Sequence, residues 1–209
     1  MGKEWKDYLQ LKKERPELFK CTPAHPIIFD ETKVSAFEQE SGRTIGVVYS
    51  SPYNKLIVDL VLLDGKYCAY ERVIPAFEGG VVIVPLCEDK IVMLEQWRHA
   101  TRSLSYQLPR GFGTPALSAR DNVVKEITEE LNIDSSKVSC VAHIGDVEPD
   151  NGLTSNCVEV YKCQVAAVPD RNAHEGIKSI KLLTLEDLRA NIRCGMIKDS
   201  FTLSALAFL

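Results

Sequence analysis

Residues Gly111–Ile133, GFGTPALSARDNVVKEITEELNI, decide how the rest of the chain is read. Gly111, Gly113 and Pro115 mark a loop, because glycine frees φ and proline presets it for a turn. A helix begins after Ser118. Asp121 follows three residues later, a capping-box-like pair in which Asp stands for the longer Glu. Val123, Ile127 and Leu131 then recur every four residues, with Val124 beside them, which predicts one stripe facing a core.

Glu126, Glu129 and Glu130 stand at i, i+3 and i+4 of that helix, so they share one arc beside the apolar stripe. Like charges at this spacing repel by a few tenths of a kcal/mol per pair. Only Lys125 is near to offset them. Two readings follow from the triple alone: a solvated acidic face, or a seat for a hard divalent cation such as Mg²⁺, which takes oxygen ligands.

Composition bounds the function. The 209 residues suffice to bury a full core, and 45% hydrophobic with 26% charged residues is ordinary for a globular protein. Net charge is −4, and no basic patch interleaves with aromatics, which argues against a nucleic-acid partner. An acidic chain that handles phosphates needs local arginine or a metal. Seven scattered cysteines with no C-x-x-C spacing predict reduced thiols in a cytoplasmic protein, not a zinc site. Lys3, Glu4, Lys6 and Asp7 interrupt any leader-like apolar run, and no stretch approaches membrane-spanning length.

Upstream of the central stretch, residues 3 to about 20 predict a helix with Trp5, Tyr8 and Leu9 on one face, broken near Pro16. Short strands are expected around 27–29, 33–38 and 44–50, then a strand at 55–63. Asp64-Gly65 is a hairpin signal, and 67–74 returns. Strands at 81–86 and 91–98 follow, with a short one at 106–108. Downstream, strands are expected near 138–145, 156–166 and 178–183, with helices at 185–194 and 199–209. The order implies helices on both faces of a mixed sheet.

The central stretch resembles the Nudix box, G-x(5)-E-x(7)-R-E-U-x-E-E-x-G-U with U aliphatic. Gly111, Glu126, Ile127, Glu129, Glu130 and Ile133 fall in register, while Leu117, Lys125 and Asn132 replace the first glutamate, the arginine and the second glycine. EQWRHATRS ahead of QLPRG, and IKDSFTLSALAFL at the end, are similar to the ADP-ribose pyrophosphatase branch of that family. The resemblance implies an α/β (α+β) fold, a Nudix-type α/β/α sandwich with a mixed sheet, preceded by an N-terminal helix and antiparallel strands. It implies residues 1–77 as a dimerisation segment and 78–209 as the hydrolase domain, acting as a homodimer without membrane or nucleic acid.

The resemblance also implies the chemistry: Mg²⁺- or Mn²⁺-dependent hydrolysis of the diphosphate bond in ADP-ribose or a related NDP-sugar. Glu126, Glu129 and Glu130 would hold the metal, with the main-chain carbonyl of Arg110. Glu129, Glu130 and the late-loop Glu175 would serve catalysis. Arg98, Gln107 and Arg110 would bind substrate, although Gln107 and Arg110 replace the branch's usual Glu and Ala. Two other classes remain open at this stage: a nucleotide-sensing module that has lost turnover, motivated by Leu117 and Lys125, and an interaction protein that docks through Trp5 and Tyr8.

Overall fold

A computed structural model describes residues 2–77, 79–169 and 176–209. They divide into two compact units, residues 1–76 with 150–156, and residues 77–149 with 157–209.

The first unit opens with helix α1 (Lys3–Glu14), which buries Trp5, Tyr8 and Leu11. Pro16 cannot continue a helix, so α1 gives way to a one-turn 3-10 helix over Pro16–Phe19. Helix α2 (Glu31–Ser41) comes next. This corrects the expectation of a strand at 33–38. Asp30 caps α2 by accepting from the backbone N–H of Thr32 and Lys33, and Gly42 ends it in the left-handed conformation. Those end signals outweigh the weak strand preference of Val34, Ser35 and Phe37. Strands β1 (Gly46–Ser50), β2 (Asn54–Leu63) and β3 (Lys66–Pro75) form an antiparallel sheet in that order. Asp64 and Gly65 both have positive φ, as the two-residue hairpin joining β2 to β3 requires. Consecutive β2 residues from Ile57 to Leu60 are buried, so the sheet is covered on both faces there. Asp59, buried among them, is held by Arg72 and by the Tyr8 hydroxyl.

The second unit is built on seven strands: β4 (Gly80–Cys87), β5 (Lys90–Arg98), β6 (Ser103–Gln107), β7 (Arg110–Phe112), β8 (Val138–Val147), β9 (Val158–Val165) and β10 (Ile177–Leu183). Its main path runs β10-β5-β4-β9-β8, with β4 and β9 parallel and the other neighbours antiparallel. The β4–β5 hairpin is paired only near its turn, at Leu86↔Ile91 and Cys87↔Lys90. Beyond that, β5 pairs with β6 and β4 with β7. The hairpin therefore opens like a fork, and the two short strands fill it.

Alternate residues of β4 and β5 face opposite cores. Val81, Ile83, Val92 and Leu94 pack with Val123, Ile127 and Leu131 of helix α3 (Ala119–Leu131). Val82, Val84, Ile91 and Met93 pack with Leu188 of α4 (Leu185–Arg193), Ile197 and Ala205 of α5 (Ser200–Ala205). The period of two in the strands thus sorts α3 to one face and α4 with α5 to the other. This is the expected α/β/α sandwich with a mixed sheet. Among the described residues no helix is long and apolar enough to cross a membrane.

Candidate active site

The fork delivers the loop before α3 to the sheet. Gly111 lies opposite Val81 and so faces α3, whereas Arg110 lies opposite Val82 and faces the α4–α5 side. One peptide therefore separates two environments.

On the α3 side the helix starts as its sequence implies. Ser118 accepts from the Asp121 N–H, and the Asp121 carboxylate accepts from the Ser118 hydroxyl at 2.6 Å. Asn132 closes the helix in the left-handed conformation, where a glycine usually sits. The loop is fastened by Asn122, which is buried. Its Nδ2 donates to the Phe112 carbonyl at 2.9 Å, and its Oδ1 accepts from the Thr114 hydroxyl at 2.8 Å. Leu117, at the position of the missing glutamate, is exposed. Asn122 was missed at the level of sequence. Its signal was a polar residue of poor helix propensity beside Val123 in an otherwise apolar stripe.

The three glutamates differ in setting. Glu130 is buried, and its Oε2 accepts from the Arg110 main-chain N–H at 3.1 Å. In an extended strand the N–H and C=O of one residue leave by the same edge, so the Arg110 carbonyl projects on the Glu130 side. The Glu126 carboxylate lies against Gly111. A Cβ at position 111 would fall inside van der Waals contact of its Cδ and both oxygens, so only glycine permits this approach. Glu129 is the most exposed of the three. Lys125 Nζ sits between Glu126 Oε1 and Glu129 Oε2, 3.0 Å from each. Burial works against the Lys125 ammonium, but its bonds to the two carboxylates outweigh that and hold its pKa above the ordinary lysine value.

Among the described residues no three acidic, histidine or cysteine side chains already converge as a metal cage. The donor chemistry nevertheless fits a hard cation: carboxylate oxygens on one helical arc, a strand carbonyl on the same side, and a glycine that makes room for Glu126. Lys125 holds both Glu126 and Glu129, so a cation on those carboxylates would compete with the ammonium for their oxygens.

On the other face the Arg110 side chain donates to Asp199 Oδ1 at 2.8 Å and its guanidinium lies over the Phe201 ring. Asp199 also caps α5, and Thr202 accepts from the Leu108 N–H at 2.9 Å, so the C-terminal helix clamps the strand that carries Arg110. The structure thus brings the Arg110 main chain to the carboxylates and sends its side chain away from them. Arg98 donates from Nε to Gln107 Oε1 at 2.6 Å. Gln107 is fully buried, and its Nε2 donates to Gln96 Oε1. Burial is the main cause drawing Arg98 below the ordinary guanidinium range. Arg110 adds to this, and Asp199 and Glu130 oppose it. Glu175 lies outside the described residues.

A family model, the NUDIX domain, matches residues 77–199. This chain belongs to the NUDIX family. The match spans the second unit's sheet and α3, with the glutamates inside it. One curated NUDIX relative is ADP compounds hydrolase NudE of Escherichia coli (strain K12), 26% identical over 82 residues. Those residues are 39% of this chain and 44% of that protein, so the chain matches less than half of the relative's length. A solved structure titled "Crystal structure of ADP compounds hydrolase" superposes with a TM-score of 0.61 at 16% identity, covering 78% of this chain and 87% of that one. At that identity the likeness is one of fold.

Proposed function

We propose that this NUDIX protein is a metal-dependent hydrolase of the diphosphate bond in a nucleoside diphosphate linked to another group, an ADP compound such as ADP-ribose or a related NDP-sugar. Water attacks one phosphorus, the bridging P–O bond breaks, and a nucleoside monophosphate leaves with a phosphorylated remainder. The observation that carries the reading is the placement of Glu126 and Glu130. One is packed on Gly111 and the other is held by the Arg110 N–H, at the mouth of the loop. The naming of the similar proteins as ADP compounds hydrolases supports the substrate class.

Glu126, Glu129 and Glu130 would hold Mg²⁺ or Mn²⁺ together with the Arg110 carbonyl. When bound, such an ion supplies charge neutralisation on the diphosphate and eases ionisation of water. Arg98 meets a phosphate oxygen, with Gln107 behind it. Glu129 and Glu175 accept the proton released by the attacking water. Residues 1–77 serve self-association as a homodimer in the cytoplasm, and the exposed side chains of Tyr49, Tyr53 and Tyr67 support that use of the first unit.

The test is incubation with Mg²⁺ or Mn²⁺ and a panel of ADP-ribose, NDP-sugars and dinucleoside polyphosphates, read as monophosphate release. Glu130→Gln should abolish it. A second reading, a nucleotide-sensing module without turnover, is favoured by the Lys125 bridge across two of the three carboxylates. Tight binding of ADP-ribose with no release under any metal would establish that reading in place of the first.

A further inference from the structure

The first unit carries a groove that the chemistry described so far does not use. Helix α2 turns Lys33, Ala36, Phe37, Glu40 and Ser41 to one side, the i, i+3, i+4, i+7, i+8 stripe of a helix. Lys66 and Tyr67, which open β3 after the Asp64-Gly65 turn, form the opposite wall. Together they line about 610 Å³, a volume suited to a small molecule. Val34, fully buried, anchors α2 in the first unit's core, and Phe37 lies half-buried against that core. Ala36 and Phe37 make the helical wall partly apolar, and Tyr67 adds an exposed aromatic ring.

Neighbouring polar groups are engaged elsewhere. Glu31 accepts from the Trp5 indole, and Glu38 accepts from the Ile45 N–H. Arg43 pairs with Glu71, and the Ser41 hydroxyl donates to the Phe37 carbonyl at 2.6 Å. Among the described residues, the ammoniums of Lys33 and Lys66, the Glu40 carboxylate and the Tyr67 hydroxyl have no hydrogen-bond or ion-pair partner. A single exposed lysine without a partner is ordinary. Here two of them face one partly apolar groove against a single carboxylate, so the lining is net positive.

We infer that this groove binds a nucleoside monophosphate: phosphate on Lys33 and Lys66, base against Phe37 and Tyr67, sugar hydroxyls on Glu40. A phosphate dianion answers two ammoniums, a flat base stacks on aromatic rings, and a carboxylate accepts from hydroxyls. A protein segment fits less well. Two strand residues span only about 7 Å, whereas a helix laid in a groove is anchored from i to i+7, about 10 Å. A nucleoside monophosphate is also the product of the proposed hydrolysis, so the groove would sense product. That link to product rests on the diphosphate reading; the groove's chemistry does not.

The experiment titrates AMP calorimetrically into the full chain, with EDTA present so that no metal bridges ligand and glutamates. Wild type is compared with Lys33→Gln/Lys66→Gln, and inorganic phosphate serves as a second probe. Wild type should bind one AMP per chain, and phosphate about tenfold or more weakly. The double variant should lose about tenfold or more in AMP affinity with its Tm unchanged, because both lysines are exposed. No AMP binding by wild type, or equal affinity in the variant, overturns the inference. Phosphate bound as tightly as AMP overturns the ligand class, because the aromatic wall then takes no part. Tyr67 also belongs to the surface offered above to self-association. A sedimentation change in the variant with AMP affinity unaltered would therefore place a second copy in the groove, and overturn the inference. Monophosphate release from ADP-ribose with Mg²⁺ separates the two proposals. Lysine-dependent AMP binding without release from any derivative sinks hydrolysis alone. Release without lysine-dependent AMP binding sinks the groove alone.

Discussion

Gly111→Ala should separate the site from the fold. An added Cβ would overlap the Cδ and both oxygens of Glu126. Gly111 lacks positive φ, so alanine is compatible with its backbone. A compatible glycine-to-alanine change favours the folded state by about 0.4–1 kcal/mol through the unfolded chain. Against that, Glu126 must swing away and lose its bond to Lys125, a partly exposed pair worth about 0–1 kcal/mol. The two effects nearly cancel, so Tm should move by no more than about 4 °C for a chain of this size. The site fares differently. Restoring ordinary C···O separation requires the carboxylate to move by roughly 1 Å or more, and a misplacement of that order costs about 10²-fold in rate. The assay pairs thermal unfolding with Mn²⁺ titration followed by electron paramagnetic resonance and with monophosphate release from ADP-ribose. A stable variant with metal affinity and turnover near wild type would refute the role given to the Gly111–Glu126 approach. A collapsed fold would refute the stability argument.

Lys125→Met removes the ammonium shared by Glu126 and Glu129. Relief of a competing pair worth about 0.5–1 kcal/mol should tighten Mn²⁺ binding by about 2–5-fold, and weaker binding would show that Lys125 organises the carboxylates instead. Asn122→Ala strands the Phe112 carbonyl and the Thr114 hydroxyl, and urea unfolding should register a loss of about 1–3 kcal/mol. A loss near zero would mean that the loop does not depend on Asn122. Glu95 is buried, accepts from the Ser179 hydroxyl and from Lys178, and has its pKa lowered, chiefly by the Ser179 bond and against the opposing effect of burial. A carboxylate with a depressed folded-state pKa contributes stability above its unfolded pKa and loses it as pH falls through the folded value. The Tm gap between wild type and Glu95→Gln should therefore be full at about pH 6 and close toward about pH 3. A gap independent of pH would contradict this.

The central stretch was legible from its residues alone because its signals are local. Ser118, the four-residue apolar period and Asn132 specify one helix with two ends, and the acidic arc follows from helical geometry without any partner. The Asp64-Gly65 turn was legible for the same reason, since both residues tolerate positive φ. Helix α2 was not, because Asp30 and Gly42 act only when they flank a helix, and the segment between them has no strong period of its own. What only the tertiary structure decided is which groups meet. Residues twenty or more positions apart, such as Arg110 with Glu130 and Arg110 with Asp199, are joined by the opening of the β4–β5 fork. The alternation of a strand then sends Arg110's side chain to one face of the sheet and opens Gly111 to the other. Spacing along a chain fixes the periodic face of one element. The pairing of distant strands is a long-range choice, and it determines that the Arg110 N–H reaches Glu130, that Gln107 stands behind Arg98, and that one donor of Arg98 is left without a partner.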